Sequence, residues 1–251
     1  FFQAEDGIRD RSPSRWLGDV YKRQGLEHNL YLIGTFTIWF LVLFTGKVIL
    51  NLEQRRIFVL LLIFITISQE LIDDILRWNV GIWDVAEDLP LHMCGISFFT
   101  STYALYSKNQ TAFELSYFWG LAGAFQAIIT PDPTRFVMDV SLFWNFLSHG
   151  LIILNVLWMI VIDNMRCRVG SYLNAIIITN GILFIISIVN SILGGNYWFI
   201  CEKPGGESPF IMGEWPLYII GFQISGILLL GLFYIPMIIL RKKGKQFAIS
   251  S

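Results

Sequence analysis

Hydrophobic runs close to 20 residues long recur along this chain, and no other feature limits its fold so severely. A run of that length, at 1.5 Å of rise per residue, matches the roughly 30 Å hydrocarbon core of a bilayer. Backbone placed in hydrocarbon must satisfy its own hydrogen bonds, and a helix does so within one segment. Seven spans can be read: Tyr31–Leu50, Ile57–Trp78, Pro90–Tyr106, Phe113–Thr130, Leu142–Ile162, Tyr172–Leu193 and Trp215–Leu240, the third and fourth being the shortest. The expected fold class is therefore all-α: a polytopic membrane protein, a bundle of about seven transmembrane helices. A content of 55% hydrophobic residues and a mean hydropathy of +0.59 exclude an ordinary soluble domain. A net charge of −1 gives no reason to expect a nucleic-acid partner, and no protein partner is suggested.

The first 24 residues do not fit this pattern. Phe1–Gln24 carries nine charged residues and no apolar periodicity, and it lacks the apolar core of a signal peptide. It reads as translated sequencing-adapter text, so the expected native unit is a single seven-span domain over residues 25–251.

Lys and Arg set the orientation. The connections after spans 1, 3 and 5, with the tail, hold Lys47, Arg55, Arg56, Lys108, Arg166, Arg168, Arg241, Lys242, Lys243 and Lys245. The opposite side holds only Arg77, Arg135 and Lys203. Ten against three places the C-terminus in the cytoplasm and the N-terminus outside. Asp73, Asp74, Asp84, Glu87, Asp88, Asp132, Asp139, Glu202, Glu207 and Glu214 then all fall outside. The expected location is a multi-pass protein of the cell membrane, a bacterial plasma membrane.

Ionisable groups at membrane depth are expensive to keep and mark function by default. Only three histidines and three cysteines occur. His92 and Cys94 sit in Leu89-Pro90-Leu91-His92-Met93-Cys94, at the mouth of the third span, and His149 lies inside the fifth. A thiol and a proton acceptor are the minimal parts of a cysteine–histidine acyl-transfer site. If the third helix starts at Pro90, Cys94 is about 6 Å in from the outer surface, His149 about 10 Å, and Glu70 at a similar depth. Gln126, Asn190 and Gln223 join this outer-half layer, which reads as a cavity opening outward.

Residues i and i+2 on a helix point about 200° apart, so His149, rather than His92, is the better base for Cys94. His92 would orient a neighbour, cap the helix mouth or meet a lipid headgroup. Glu70 or Asn145 would orient the His149 imidazole. Donors for an oxyanion would come from Gln126, Asn145 or the helix N-terminus at Pro90. Plainer readings stand beside these: His149 satisfied by Asn145 on its own face, Cys94 inert or paired with Cys201, and Asp73–Arg77 an ordinary i,i+4 ion pair. Cys167 receives no role, and Gly120, Gly123 and Ala124 read as close-packing positions.

LPLHMC, then FWGLAGAFQAIITPD (Phe118–Asp132), SHG (Ser148–Gly150), NYWFICEKPGGES (Asn196–Ser208) and GEWPLY (Gly213–Tyr218) occur in that order. This ordered set resembles the transmembrane protein 164 / YwaF-like integral membrane family, from about span 1 to span 7. The resemblance implies a seven-span bundle related to membrane-embedded lipid hydrolases. For the eukaryotic branch it implies acyl transfer, in which a cysteine takes a fatty acyl group from a phospholipid and passes it to a lysophospholipid. The family's cysteine corresponds to Cys94 and its intramembrane histidine to His149. The favoured expectation is thus a phospholipid acyltransferase or transacylase working without a metal or other cofactor, its partners being membrane phospholipids and lysophospholipids. Two rivals are a metal-dependent lipid hydrolase ligated by His92, Cys94, His149 and an acidic residue, and a non-catalytic transporter or lipid sensor. The helical i,i+2 spacing counts against the first, and the scarcity of polar groups in the inner half against the second.

Overall fold

The structure is a computed structural model that describes residues 13–131, 141–203 and 213–249, with side chains described between residues 25 and 241. Arg135, Asp132, Asp139, Glu207 and the side chains of Phe1–Gln24 and of Lys242, Lys243 and Lys245 lie outside those bounds. Among the described residues every regular element is helical.

Seven helical rods stand at the seven expected places. The first, α1 (Pro13–Phe44), closes on a π-helical turn, Thr45–Ile49. Next come α2 (Leu52–Asn79) and α3 (Met93–Ser107). The fourth rod is composite: α4 (Gln110–Trp119), a π-helical turn at Gly120–Ala124, and α5 (Phe125–Ile129). Then follow α6 (Ser141–Val161), α7 (Ser171–Leu193) and α8 (Leu217–Ile249). Four of the rods are long and apolar enough to cross a membrane by themselves: Gly25–Ile49, Ser141–Val161, Ser171–Leu193 and Leu217–Arg241. α3 is too short for that, at 15 residues. α2 carries Glu70, Asp73 and Asp74 within its apolar run.

Local chemistry fixes the ends. Asn51 opens α2 with a reciprocal box: its side chain accepts from the Gln54 N–H, and the Gln54 side chain accepts from the Asn51 N–H, both at 2.9 Å. Asn109 caps α4 through the Ala112 N–H at 3.0 Å. Gly194 ends α7 in the left-handed region, at φ +67°, where a side chain would be strained.

The central rod is α6, which packs against α1, α2, α3, α4 and α5. Gly150 lets α1 approach: the Trp39 indole N–H donates to the Gly150 carbonyl at 3.0 Å. Gly120 does the same for the fourth rod, its missing Cβ standing 3.3 Å from Ile152. α7 and α8 lean on α4, through Trp119 Nε1 to Thr179 Oγ1 at 2.8 Å and Tyr117 OH to the Phe233 carbonyl at 2.6 Å. Glu114, buried at the inner end of α4, accepts from the Arg168 backbone N–H at 2.7 Å and from its Nε and Nη2 at 3.0 and 2.9 Å.

The third helix does not start at Pro90. It starts at Met93, with His92 as an extended N-cap at ψ 155°. Pro90 lies in a turn that presses on the first helical turn, where a Cβ on Gly95 would sit 2.7–2.8 Å from Pro90 backbone atoms. The consequence for depth follows from the ends expected to face the cytoplasm, which Lys108 Nζ and Asp163 Oδ2 hold level at 2.6 Å. Cys94 lies 14 residues above Lys108 and His149 lies 14 above Asp163, so both stand about 21 Å up. α6 continues eight residues beyond His149 to Ser141, about 12 Å further. α3 therefore begins well below the outer end of α6, and non-helical backbone between Val80 and His92 descends to meet it.

Candidate active site at the start of helix 3

Irregular backbone at membrane depth is tolerated only where protein covers it. Here the cover is the connection after α7. Tyr197, fully buried, uses its hydroxyl twice, donating to the Val85 carbonyl at 2.7 Å and accepting from the Leu89 N–H at 3.0 Å. Burial pushes its phenol up, which keeps the donating proton in place. Trp198 Nε1 donates to the Leu91 carbonyl at 2.7 Å, and the Trp198 N–H donates to His92 Nδ1 at 3.3 Å. The His92 ring packs against Tyr197 and Phe199, with centroids 5.0 and 5.3 Å away. Gly195 permits this closeness, since a Cβ there would fall 2.5 Å from the Ala86 carbonyl oxygen.

Beneath this cover lies Cys94, the second residue of α3, half-buried and packed against the core. Its thiol hydrogen-bonds the His149 side chain, which arrives from α6. His149 Nδ1 lies 2.8 Å from the Asn145 carbonyl oxygen, one turn back, and 3.3 Å from Ser148 Oγ. A carbonyl can only accept, so Nδ1 carries the proton and Nε2 is left with its lone pair for the thiol. Glu70, on α2, is near enough to act electrostatically on His149, and it accepts from Gln69 Nε2 at 3.0 Å. Three helices thus bring a thiol, an imidazole and a carboxyl to one level. Cys94 sits in the first turn of α3, the end of the helix that carries the positive pole of its dipole.

Other members of the expected polar layer lie elsewhere. Gln126 is exposed and donates to Thr130 Oγ1 on its own helix at 2.6 Å. The Asn145 side chain turns to α5, donating to the Ala127 carbonyl at 3.0 Å, so it is the Asn145 backbone that holds the imidazole. Asn190 is buried and binds both backbone groups of Tyr197, the N–H and the carbonyl, each at 2.9 Å. Gln223 pairs with Asn180 on the outer side of α7 and α8. His92 belongs to the covering loop. Arg77 bridges Asp73 at 3.2 Å, the i,i+4 pair legible in the sequence, and also Asp88 at 3.0 Å, which spacing does not reveal. The roles of Tyr197 and Trp198 were missed; the one signal for them was the aromatic NYWF run ahead of Cys201. None of the three cysteines is in a disulfide.

Among the described residues no three His, Cys, Asp or Glu side chains group closely enough to hold a metal ion. The arrangement offers instead a polarised thiol beside a tautomer-fixed imidazole, the chemistry of nucleophilic acyl transfer.

A family model described as the TMEM164 family matches residues 24–234. The chain belongs to the TMEM164 family. No curated protein and no solved structure shows a significant match. With its apolar helices, family membership makes this a membrane protein. The match spans α1 to most of α8, so the thiol–imidazole pair, the covering loop and the composite fourth rod all fall inside the family's own region.

Proposed function

We propose that this member of the TMEM164 family is a multi-pass plasma-membrane phospholipid acyltransferase working through Cys94 and His149. The observation that carries the reading is the hydrogen bond between the Cys94 thiol and an imidazole whose Nδ1 proton is engaged by the Asn145 carbonyl. His149 Nε2 takes the thiol proton as sulfur attacks the carbonyl carbon of a glycerophospholipid ester. The C–O bond breaks, the lysolipid oxygen leaves with the proton from His149, and the acyl group remains on Cys94 as a thioester. A second lysophospholipid hydroxyl gives its proton to His149 and attacks the thioester, releasing the thiol and a re-acylated lipid. Water in that place makes the cycle a hydrolysis.

Negative charge on the attacked carbonyl oxygen develops at the N-terminus of α3, where first-turn amides and the helix dipole favour it. Glu70 stabilises the imidazolium that forms within each half-reaction, between uptake of the proton by His149 and its release. His92 positions the nucleophile through the loop rather than exchanging protons with it. The half-buried setting of Cys94 lets a lipid ester reach it from the bilayer.

The test is direct. Purified protein incubated with a labelled-acyl phospholipid should trap a hydroxylamine-sensitive label on Cys94. Cys94→Ser should abolish that adduct, and His149→Ala should slow its formation by about 100-fold or more, the usual share of a general base. Chelators should change neither. Full activity in Cys94→Ala, or collapse on chelation, refutes the thiol mechanism.

A further inference from the structure

The polar layer leaves two amides that the acyl-transfer site does not use. Asn180 lies nine residues into α7, about 14 Å from its inner end and so within the hydrocarbon. It is exposed. Its Nδ2 donates to the Ile176 carbonyl at 2.9 Å, and its Oδ1 accepts from Gln223 Nε2 on α8. Gln223 Oε1 and one N–H on each side-chain nitrogen have no protein partner among the described residues. In a bilayer no water replaces that partner, and an unmet amide in hydrocarbon costs free energy.

Two glycines accompany the pair. Gly181 follows Asn180, and Gly226 lies one turn beyond Gln223; a Cβ on either would meet nothing within 4 Å. Each glycine in a helix interior costs about 1 kcal/mol relative to alanine. At Gly46 and Gly120 contacts inside the chain account for the glycine, since a Cβ there would meet Trp158 or Ile152. At Gly181 and Gly226 nothing among the described residues does. Gly34 on α1 is also open, but no amide pair stands beside it. Around Gly181 the α7 face is apolar and bare, with Ile177 and Phe184 each 68% exposed.

We infer that the α7–α8 face carrying Asn180, Gly181, Gln223 and Gly226 is an interface with a second copy of this chain. An amide pair both donates and accepts, so it is complementary to itself across a twofold axis. Gln223 Oε1 of one copy can accept from a free amide N–H of the other, and the reverse bond forms with it. The open glycines let the two α7–α8 pairs approach at backbone distance, the arrangement that holds helices together where no hydrophobic drive exists. A lipid chain would offer neither donor nor acceptor.

Full-length protein reconstituted in liposomes at graded density, with subunits counted by single-molecule photobleaching, tests this. The expected result is a monomer–dimer equilibrium. Asn180→Leu and Gln223→Leu should each raise its dissociation constant by about 3- to 20-fold, the range of single interhelical polar contacts in membranes. Gly181→Leu should raise it as well. In a Cys201→Ser background, Phe184→Cys should form an oxidised dimer and Phe64→Cys, on α2, should not. The Phe184→Cys arm leaves the amides and glycines intact, so it reads the interface even where a leucine variant fails to fold. Single copies at every density, or a dimer unmoved by the leucine substitutions and unlinked through Phe184→Cys, overturns the inference. None of these readouts depends on acyl transfer.

Discussion

Asn190→Leu separates a loop-holding role from a catalytic one. Leucine has the same number and branching of side-chain heavy atoms as asparagine and is somewhat bulkier, so the change leaves no cavity and removes the two 2.9 Å hydrogen bonds to Tyr197. Both are neutral, and both partners are backbone groups of a fully buried residue. A stranded buried backbone donor or acceptor costs about 1–3 kcal/mol. Water at the outer end of the bundle can reach a loosened loop, which favours the lower part of that range for each group. The sum is about 2–3 kcal/mol. A chain of this size loses about 2–4 °C of Tm per kcal/mol, so the midpoint in detergent or nanodiscs should fall by roughly 5–10 °C. Displacing Tyr197 also releases Leu89 and Val85, and displacing Trp198 releases Leu91 and His92, so acylation of Cys94 should slow as well. Asn190→Asp, which keeps the acceptor for the Tyr197 N–H, should retain more of both. A midpoint within about 2 °C of wild type would refute the reasoning, because the loop would then hold without its anchor.

Three further outcomes are expected. Gly95→Ala should abolish Cys94 acylation and lower the yield of folded protein, because the new methyl meets Pro90 backbone rather than a yielding side chain; size-exclusion chromatography and the labelled-acyl assay read both. Near pH 7 a membrane-impermeant maleimide added to intact cells should label Cys201, which is exposed in the outer loop, and in permeabilised cells, where the cytoplasmic side is open to the reagent, Cys167 should still resist it. Burial pushes the Cys167 thiol up to about 12, so the reactive thiolate is scarce until far more alkaline pH, where access would still limit it. Glu114→Gln should destabilise the bundle by about 1.5–3 kcal/mol, the value of charge-assisted hydrogen bonds, kept modest by the half-exposed Arg168 side chain; thermal unfolding measures it.

Height along the membrane was legible in the sequence; direction around each helix was not. Counting residues from span ends set Cys94, His149 and Glu70 near one level, and in the structure the Cys94 and His149 side chains meet. The same counting set Gln126, Asn190 and Gln223 near that level, yet Gln126 faces outward, Asn190 turns to the covering loop, and Gln223 faces Asn180. An apolar run nearly devoid of polar residues has too little periodicity to say which stripe faces inward. The Pro90 signal misled by three residues because proline suits both a first helical turn and the turn before it. Only the contact with Gly95 decides between them. The π-helical turn at Gly120–Ala124 was read as close packing, which Gly120 does provide, without its extra residue being visible in spacing.

The central place of α6 has a consequence for how the chain is made. α1 finds its docking surface on α6, through Trp39 and Gly150, and little elsewhere. That surface is synthesised more than a hundred residues later, which at roughly 5–20 residues per second leaves α1 waiting about 6–20 s in the bilayer. α3 and α4 are in a different position, because they pack on each other and can pair as a hairpin soon after both emerge. Assembly is therefore expected to run from the middle of the sequence outward, with the first span inserted early and docked late. A chain truncated before Ser141 and released into the bilayer should hold an α3–α4 pair beside an α1 still free to drift.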